Sequence, residues 1–209
     1  MFTIGNRLKF ALAGDVFETV NPHLPGSPHA ELVDHVGRGR VGRVLELCAG
    51  TGYAARLVAR QHPDAEVVGL DLSPEMIAVG RRKLASQGPA NLTLIEGDAS
   101  ALPFPDNSFD TVMAVFGLHE VPTAVRLDAV RESARVLVPG GRFVIVDLDR
   151  PPLTGLFIDA YFLVMEPDHA REVCGTGLTD LLSTNGFTID HHESATPWNA
   201  TQTIVATVR

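Results

Sequence analysis

The sequence predicts an α/β fold, a doubly wound and mostly parallel sheet with helices on both faces and an antiparallel C-terminal strand. Three observations predict it. Short, nearly continuous apolar runs alternate with helix-forming stretches between residues 43 and 146, as buried parallel strands and their crossover helices do. The first apolar run ends in a glycine turn that opens directly into a helix. Two strand-like runs near the C-terminus, 187–191 and 202–208, lie close enough in sequence to pair antiparallel.

Taken in order, Leu8, Leu12, Val16 and Val20 recur at steps of four and predict a helix over 7–20. Asn21-Pro22 and Pro25-Gly26 break it. Ser27-Pro28 then reads as an N-cap followed by proline at the first helical position, opening a second helix to about Val36. A first strand is expected over 43–48 and its helix over 52–61, stopped by His62-Pro63. The second strand covers 66–71. Ser73-Pro74-Glu75 again gives a cap, a proline and a first-turn acid, for a helix to Gln87. Strands over 92–95 and 109–116 follow, then a helix from Thr123 to Leu137 with Ala124, Leu127, Val130, Ala134 and Leu137 on one face. Pro139-Gly140-Gly141 turns the chain into a strand over 142–146. Leu153 to Met165 reads as an apolar helix, either packed on the sheet or walling a pocket, and 178–184 as a short helix ended by Asn185-Gly186.

Length and composition narrow the function. One domain of 209 residues is expected, divided into a helical addition over 1–38, a core over 40–148, and a region over 149–209 with further helices and the hairpin. The net charge of −8 argues against a nucleic-acid partner, whose phosphates are met by clustered Lys and Arg. Cys48 and Cys174 are too few for a disulfide framework or a four-ligand zinc site, and no set of metal ligands at short spacing is visible. Met1 to Val20 lacks a continuous apolar core, and no stretch is long enough to span a bilayer. A cytoplasmic protein without stable membrane insertion is expected.

The chemistry concentrates at the ends of the strands. Val44, Leu45 and Leu47 run into Cys48-Ala49-Gly50-Thr51-Gly52, where bare backbone can approach a nucleotide and positive φ is available. Asp71, at the tip of the second strand, is placed to accept hydrogen bonds from ribose hydroxyls. The glycines also satisfy a dinucleotide fingerprint, but Glu46 stands inside the segment. A carboxylate there repels a pyrophosphate and suits a cationic amino-acid tail. Two further blocks accompany it: Gly97-Asp98-Ala99-x-x-Leu102-Pro103-Phe104-x-Asp106-x-Ser108-Phe109-Asp110, and Arg135-Val136-Leu137-x-Pro139-Gly140-Gly141.

In combination these motifs, over residues 40 to 148, resemble the class I S-adenosylmethionine-dependent methyltransferases. The pattern is most similar to the branch holding the ubiquinone/menaquinone-biosynthesis C-methyltransferases and many small-molecule methyltransferases. The resemblance implies a Rossmann-like seven-stranded sheet with its last strand antiparallel, and S-adenosyl-L-methionine as cofactor. It places Glu46, Gly50 and Gly52 along the methionine part, Asp71 on the ribose, and Leu72 and Met76 against the adenine. Asp98 would accept from the adenine amino group, Ala99 would offer its backbone N–H, and Phe116 would sit near the sulfonium. Cys48 stands where the family's first glycine is usual, and a buried structural thiol is expected there.

Methyl transfer from a sulfonium to a phenol or an activated carbon profits from a base. His119, in Phe116-Gly117-Leu118-His119-Glu120 at the end of the fourth parallel strand, is the candidate, with Glu120 available to orient it. The expected activity is methyl transfer to a small, lipophilic or aromatic acceptor. The alternatives are a binding module that retains the cofactor without transferring methyl, and an NAD-dependent oxidoreductase.

Overall fold

A computed structural model of the chain describes residues 28–39, 41–152, 155–156, 159–160, 168–197 and 199–209. The helix expected over 7–20 and most of that expected over 153–165, including Phe157, Tyr161 and Phe162, lie outside the described residues. Residues 155–156 and 159–160 are helical, and Leu156 is exposed.

The elements follow the expected order. Helix α1 (Pro28–Gly37) precedes β1 (Arg43–Leu47), α2 (Tyr53–Gln61), β2 (Glu66–Asp71), α3 (Pro74–Gln87), β3 (Leu92–Glu96) and β4 (Phe109–Val115). A 3₁₀ turn (Leu118–Glu120), α4 (Thr123–Val136) and β5 (Leu137–Leu148) follow. A second 3₁₀ segment (Asp168–Val173), α5 (Gly177–Thr184), β6 (Phe187–Glu193) and β7 (Thr201–Val208) complete the chain. The sheet order is β3-β2-β1-β4-β5-β7-β6. Strands β1 to β5 run parallel; β7 inserts antiparallel between β5 and β6. The seven-stranded arrangement with an antiparallel last strand is therefore present.

Alternation along each strand divides the core into two layers, because successive side chains leave opposite faces of a sheet. Leu45, Leu47, Val112, Ala114, Phe143 and Ile145 join Ala129, Val130 and Val136 of α4 and Leu178 and Leu182 of α5. Val44, Met113, Val115, Val144 and Val146 join Leu32, Val33 and Val36 of α1, Ala55 and Val58 of α2 and Ile77 of α3. Phe143 is fully buried; cutting a core phenylalanine to alanine costs about 3–5 kcal/mol, a large share of the roughly 5–15 kcal/mol of a whole domain.

The start of β5 departs from the sequence expectation. Pairing begins at Leu137 against Phe109 and resumes at Arg142 against Thr111. The Pro139-Gly140-Gly141 turn is thus a bulge inside the ladder, with Gly140 at φ +76°.

The strand order reverses direction at β1 and β4. Connections from neighbouring strands there leave to opposite sides, which opens a crevice at the carboxyl ends of the strands. Glu46, Gly50, Gly52, Asp71, Leu72, Met76, Asp98, Ala99, Phe116 and His119 lie at or just beyond the carboxyl ends of β1 to β4, at this edge.

Candidate active site

The glycine turn is held by carboxyl groups on two strands. Gly50 (φ +55°) and Gly52 (φ +72°) adopt the left-handed backbone that disfavours a Cβ. Gly52 caps α2 without a capping side chain. Glu46 supplies the missing acceptor: its Oε2 takes the Ala55 N–H at 3.0 Å. Glu46 is 3% exposed, and burial pushes its carboxyl up to about 8; the Ala55 N–H and Arg56 oppose that rise, while Asp71 adds to it.

At the tip of β2, Asp71 Oδ2 accepts the Gly50 N–H at 2.7 Å and Oδ1 accepts the Ser73 N–H at 2.8 Å. One carboxylate thereby fixes the turn after β1 and the start of α3. Burial raises its pKa and the two N–H bonds pull it back. Ser73 Oγ then caps α3 through the Met76 N–H at 3.2 Å, as the Ser-Pro-Glu pattern predicts. Beside Asp71, Leu72 is 47% exposed, an unusual position for a leucine at a strand end, and Met76 is buried.

Beyond β3, Asp98 is exposed and its Oδ1 accepts both the backbone N–H and the hydroxyl of Ser100. Ala99 is buried. The two later motifs meet in space. Arg135 donates to the Leu102 and Phe104 carbonyls and to Asp106, while Glu132 accepts the Leu102 N–H. The 135–141 block thus holds the 97–110 block against β4, a structural role that accounts for their joint occurrence.

Cys48 has φ +51°. A Cβ added to Gly117 would stand 2.4 Å from the Cys48 Cβ, so a glycine after β4 makes room for the cysteine after β1. Burial, with Asp71, Asp147, Glu120 and Glu46 around it, lifts the Cys48 thiol well above its ordinary value. The thiol form is stable at neutral pH, in keeping with a structural cysteine.

His119 is buried, and its Nδ1 lies 2.5 Å from Asp147 Oδ1. Asp147 Oδ2 also accepts the Leu118 and His119 N–H groups at 3.0 and 3.3 Å. A carboxylate that orients the ring is thus Asp147 at the end of β5, which sequence reasoning missed. Arg126 locks the same turn by donating to the carbonyls of Leu118, Val121 and His169. Asp149, also missed, accepts N–H bonds from Arg150, Gly175 and Ala195 and so ties three loops together. Phe116, at φ +49°, presents its ring edge to His29 of α1.

Glu46, Gly50, Gly52, Asp71, Leu72 and Met76 are therefore gathered around the glycine turn, with Asp98 and Ala99 beyond β3 and Phe116 and His119 beyond β4. The sequence profile for the methyltransferase domain matches residues 44–141. That stretch, just under half of the chain, is similar to a methyltransferase domain. The demethylmenaquinone methyltransferase of Thermus thermophilus is 42% identical over 122 residues, 57% of this chain and 54% of that protein. This chain thus spans about half the length of the curated relatives that it matches. A SAM-dependent methyltransferase structure from Aquifex aeolicus has a TM-score of 0.71 at 16% identity, covering 94% of this chain and 98% of that one. The [4+2]-cyclase SpnF has a TM-score of 0.72 at 20% identity, covering 86% and 79%. Both likenesses establish the fold alone. Among the described residues no helix is long and apolar enough to cross a membrane.

Proposed function

We propose that the chain binds S-adenosyl-L-methionine across the carboxyl ends of β1 to β4 and transfers its methyl group to a small, flat, lipophilic acceptor. The observation that carries this reading is Asp71, a half-buried carboxylate at the strand tip already bonded to the glycine turn. It retains lone pairs for ribose hydroxyls, and the turn beside it places two glycines in left-handed backbone where the amino-acid end would lie. Leu72 and Met76 would flank the adenine, with Asp98 on its amino group and Ala99 on its ring edge. Gly50 and Gly52 would line the methionine chain, Glu46 would face its ammonium, and Phe116 the sulfonium. We assign the cofactor to the 40–148 core, and acceptor selection to 149–209 and the N-terminal addition.

When bound, the cofactor supplies a methyl group already activated for in-line displacement. The protein has to orient the acceptor, exclude water and manage one proton. With Nδ1–H donated to Asp147, the proton-accepting nitrogen of His119 is Nε2. It would take the proton of a phenolic hydroxyl, and Asp147 would stabilise the resulting imidazolium. The Thermus relative's name makes a demethylmenaquinol the first acceptor to try. Incubation with methyl-labelled cofactor and that acceptor in detergent is expected to label the lipid phase. If the demethylated cofactor binds yet no quinol, phenol or amine becomes labelled, the transfer reading fails and the binding-module reading replaces it.

A further inference from the structure

A buried histidine in the first turn of α1 has a hydrogen-bonding nitrogen with no protein partner. His29 is 7% exposed, and its Nδ1 is buried and unbonded among the described residues. Its ring is gripped edge-on by two aromatics: Tyr53, centroid 4.9 Å away, and Phe116, centroid 5.9 Å away. Tyr53 is the first residue of α2, directly after Gly52, and Phe116 directly follows β4. His29 therefore bridges the two sides of the β1/β4 crevice, where the strand order reverses. A buried polar group left unpaired carries a desolvation cost and calls for an explanation.

We propose that His29 donates its Nδ1–H to the α-carboxylate of the cofactor's methionine end, a positioning contact made by the N-terminal helix. The proposal rests on the cofactor reading above. The ionisable side chains assigned to the cofactor, Glu46, Asp71 and Asp98, are all acids. They suit an ammonium and hydroxyls and offer nothing to a carboxylate. Arg56, the cation beside Tyr53, already donates to the Thr51 carbonyl at 2.7 Å. Burial lowers the His29 pKa to about 4, so the imidazole is neutral near pH 7 and can carry its single hydrogen on Nδ1. The two aromatic contacts fix the ring plane and leave little rotamer freedom to lose on binding.

Calorimetry with two nucleosides separates this contact from a merely structural role. S-adenosylhomocysteine carries the carboxylate; 5′-methylthioadenosine lacks the amino-acid end. His29→Phe keeps the ring packing and removes the nitrogen. It is expected to weaken S-adenosylhomocysteine by about tenfold, the scale of a hydrogen bond to a charged group, and to leave methylthioadenosine within twofold. His29→Asn, whose amide nitrogen overlays Nδ1, is expected to restore most of the loss. Equal weakening of both ligands, or of neither, overturns the proposal. Wild-type protein that binds neither nucleoside removes the cofactor reading, and the His29 contact with it.

Discussion

Asp71 and Gly50 are joined by a 2.7 Å hydrogen bond from the Gly50 N–H to the Asp71 carboxylate. The tip of β2 thus holds the turn after β1 in its left-handed form. Asp71→Ala would free that N–H and the Ser73 N–H together. Cofactor binding is expected to weaken at least tenfold, about 1.4 kcal/mol, from loss of charge-assisted bonds. The melting temperature should fall as well, because two N–H groups lose their acceptor. Unchanged affinity by calorimetry would place the ribose elsewhere.

Glu46 makes stability depend on pH. Its folded pKa of about 8 lies above the ordinary carboxyl value of 4.5, so the folded chain holds a proton that the unfolded chain releases between these values. The stabilisation from this group is complete below about pH 4.5 and is lost as pH rises through 8. Glu46→Gln keeps an oxygen for the Ala55 N–H and removes the titration. The melting temperature of the variant relative to wild type is expected to rise from pH 5 to pH 9. A difference that stays flat with pH would contradict burial of an ionisable group here.

Cofactor binding should act on the same proton. An ammonium placed against Glu46 lowers its pKa, so affinity for S-adenosylhomocysteine is expected to increase between pH 6 and pH 8, with proton release into the buffer. Glu46→Gln should lose both the increase and the release, which calorimetry in buffers of different ionisation enthalpy reads directly.

Asp147→Asn tests the histidine pair. An asparagine can still accept the Leu118 and His119 N–H groups through its oxygen. Its amide N–H then faces His119 Nδ1, forcing the hydrogen onto Nε2 and removing the base. Turnover is expected to fall by about 10²-fold or more with cofactor affinity within twofold of wild type. Full turnover in both Asp147→Asn and His119→Ala would show that no base is needed.

The contact between Cys48 and Gly117 should appear as coupling. Gly117→Ala puts a Cβ 2.4 Å from the Cys48 Cβ and is expected to destabilise by about 1–3 kcal/mol, the range for overpacking. Cys48→Gly removes the obstructing atoms and the side chain at positive φ. The double variant should recover most of the loss, a coupling above about 0.5 kcal/mol. Strict additivity in denaturant unfolding would refute it.

Much of the fold was legible because its signals are local. The capped start of α3 came from Ser73-Pro74-Glu75, and the glycine turn from Gly50 and Gly52. The start of β5 differs from the expected 142 because Pro139-Gly140-Gly141 reads as a turn in sequence, and only pairing with β4 extends the strand back to Leu137. Of the site, Glu46, Asp71 and His119 lie beside recognisable motifs. Asp147 and Asp149 sit at the end of an apolar strand, where an acid has no periodicity to mark it; His119 is 28 residues from Asp147, and Gly175 and Ala195 are 26 and 46 residues from Asp149. His29 has no sequence signal to mark it, since its environment depends on Tyr53 and Phe116, which are distant in the chain.

The central claim, that this crevice seats S-adenosyl-L-methionine and not a dinucleotide, rests most directly on one titration. Wild-type protein is titrated in parallel with S-adenosylhomocysteine and NAD. The expected result is a single saturable site for S-adenosylhomocysteine and no heat from NAD. Saturable NAD binding with no response to S-adenosylhomocysteine would contradict it.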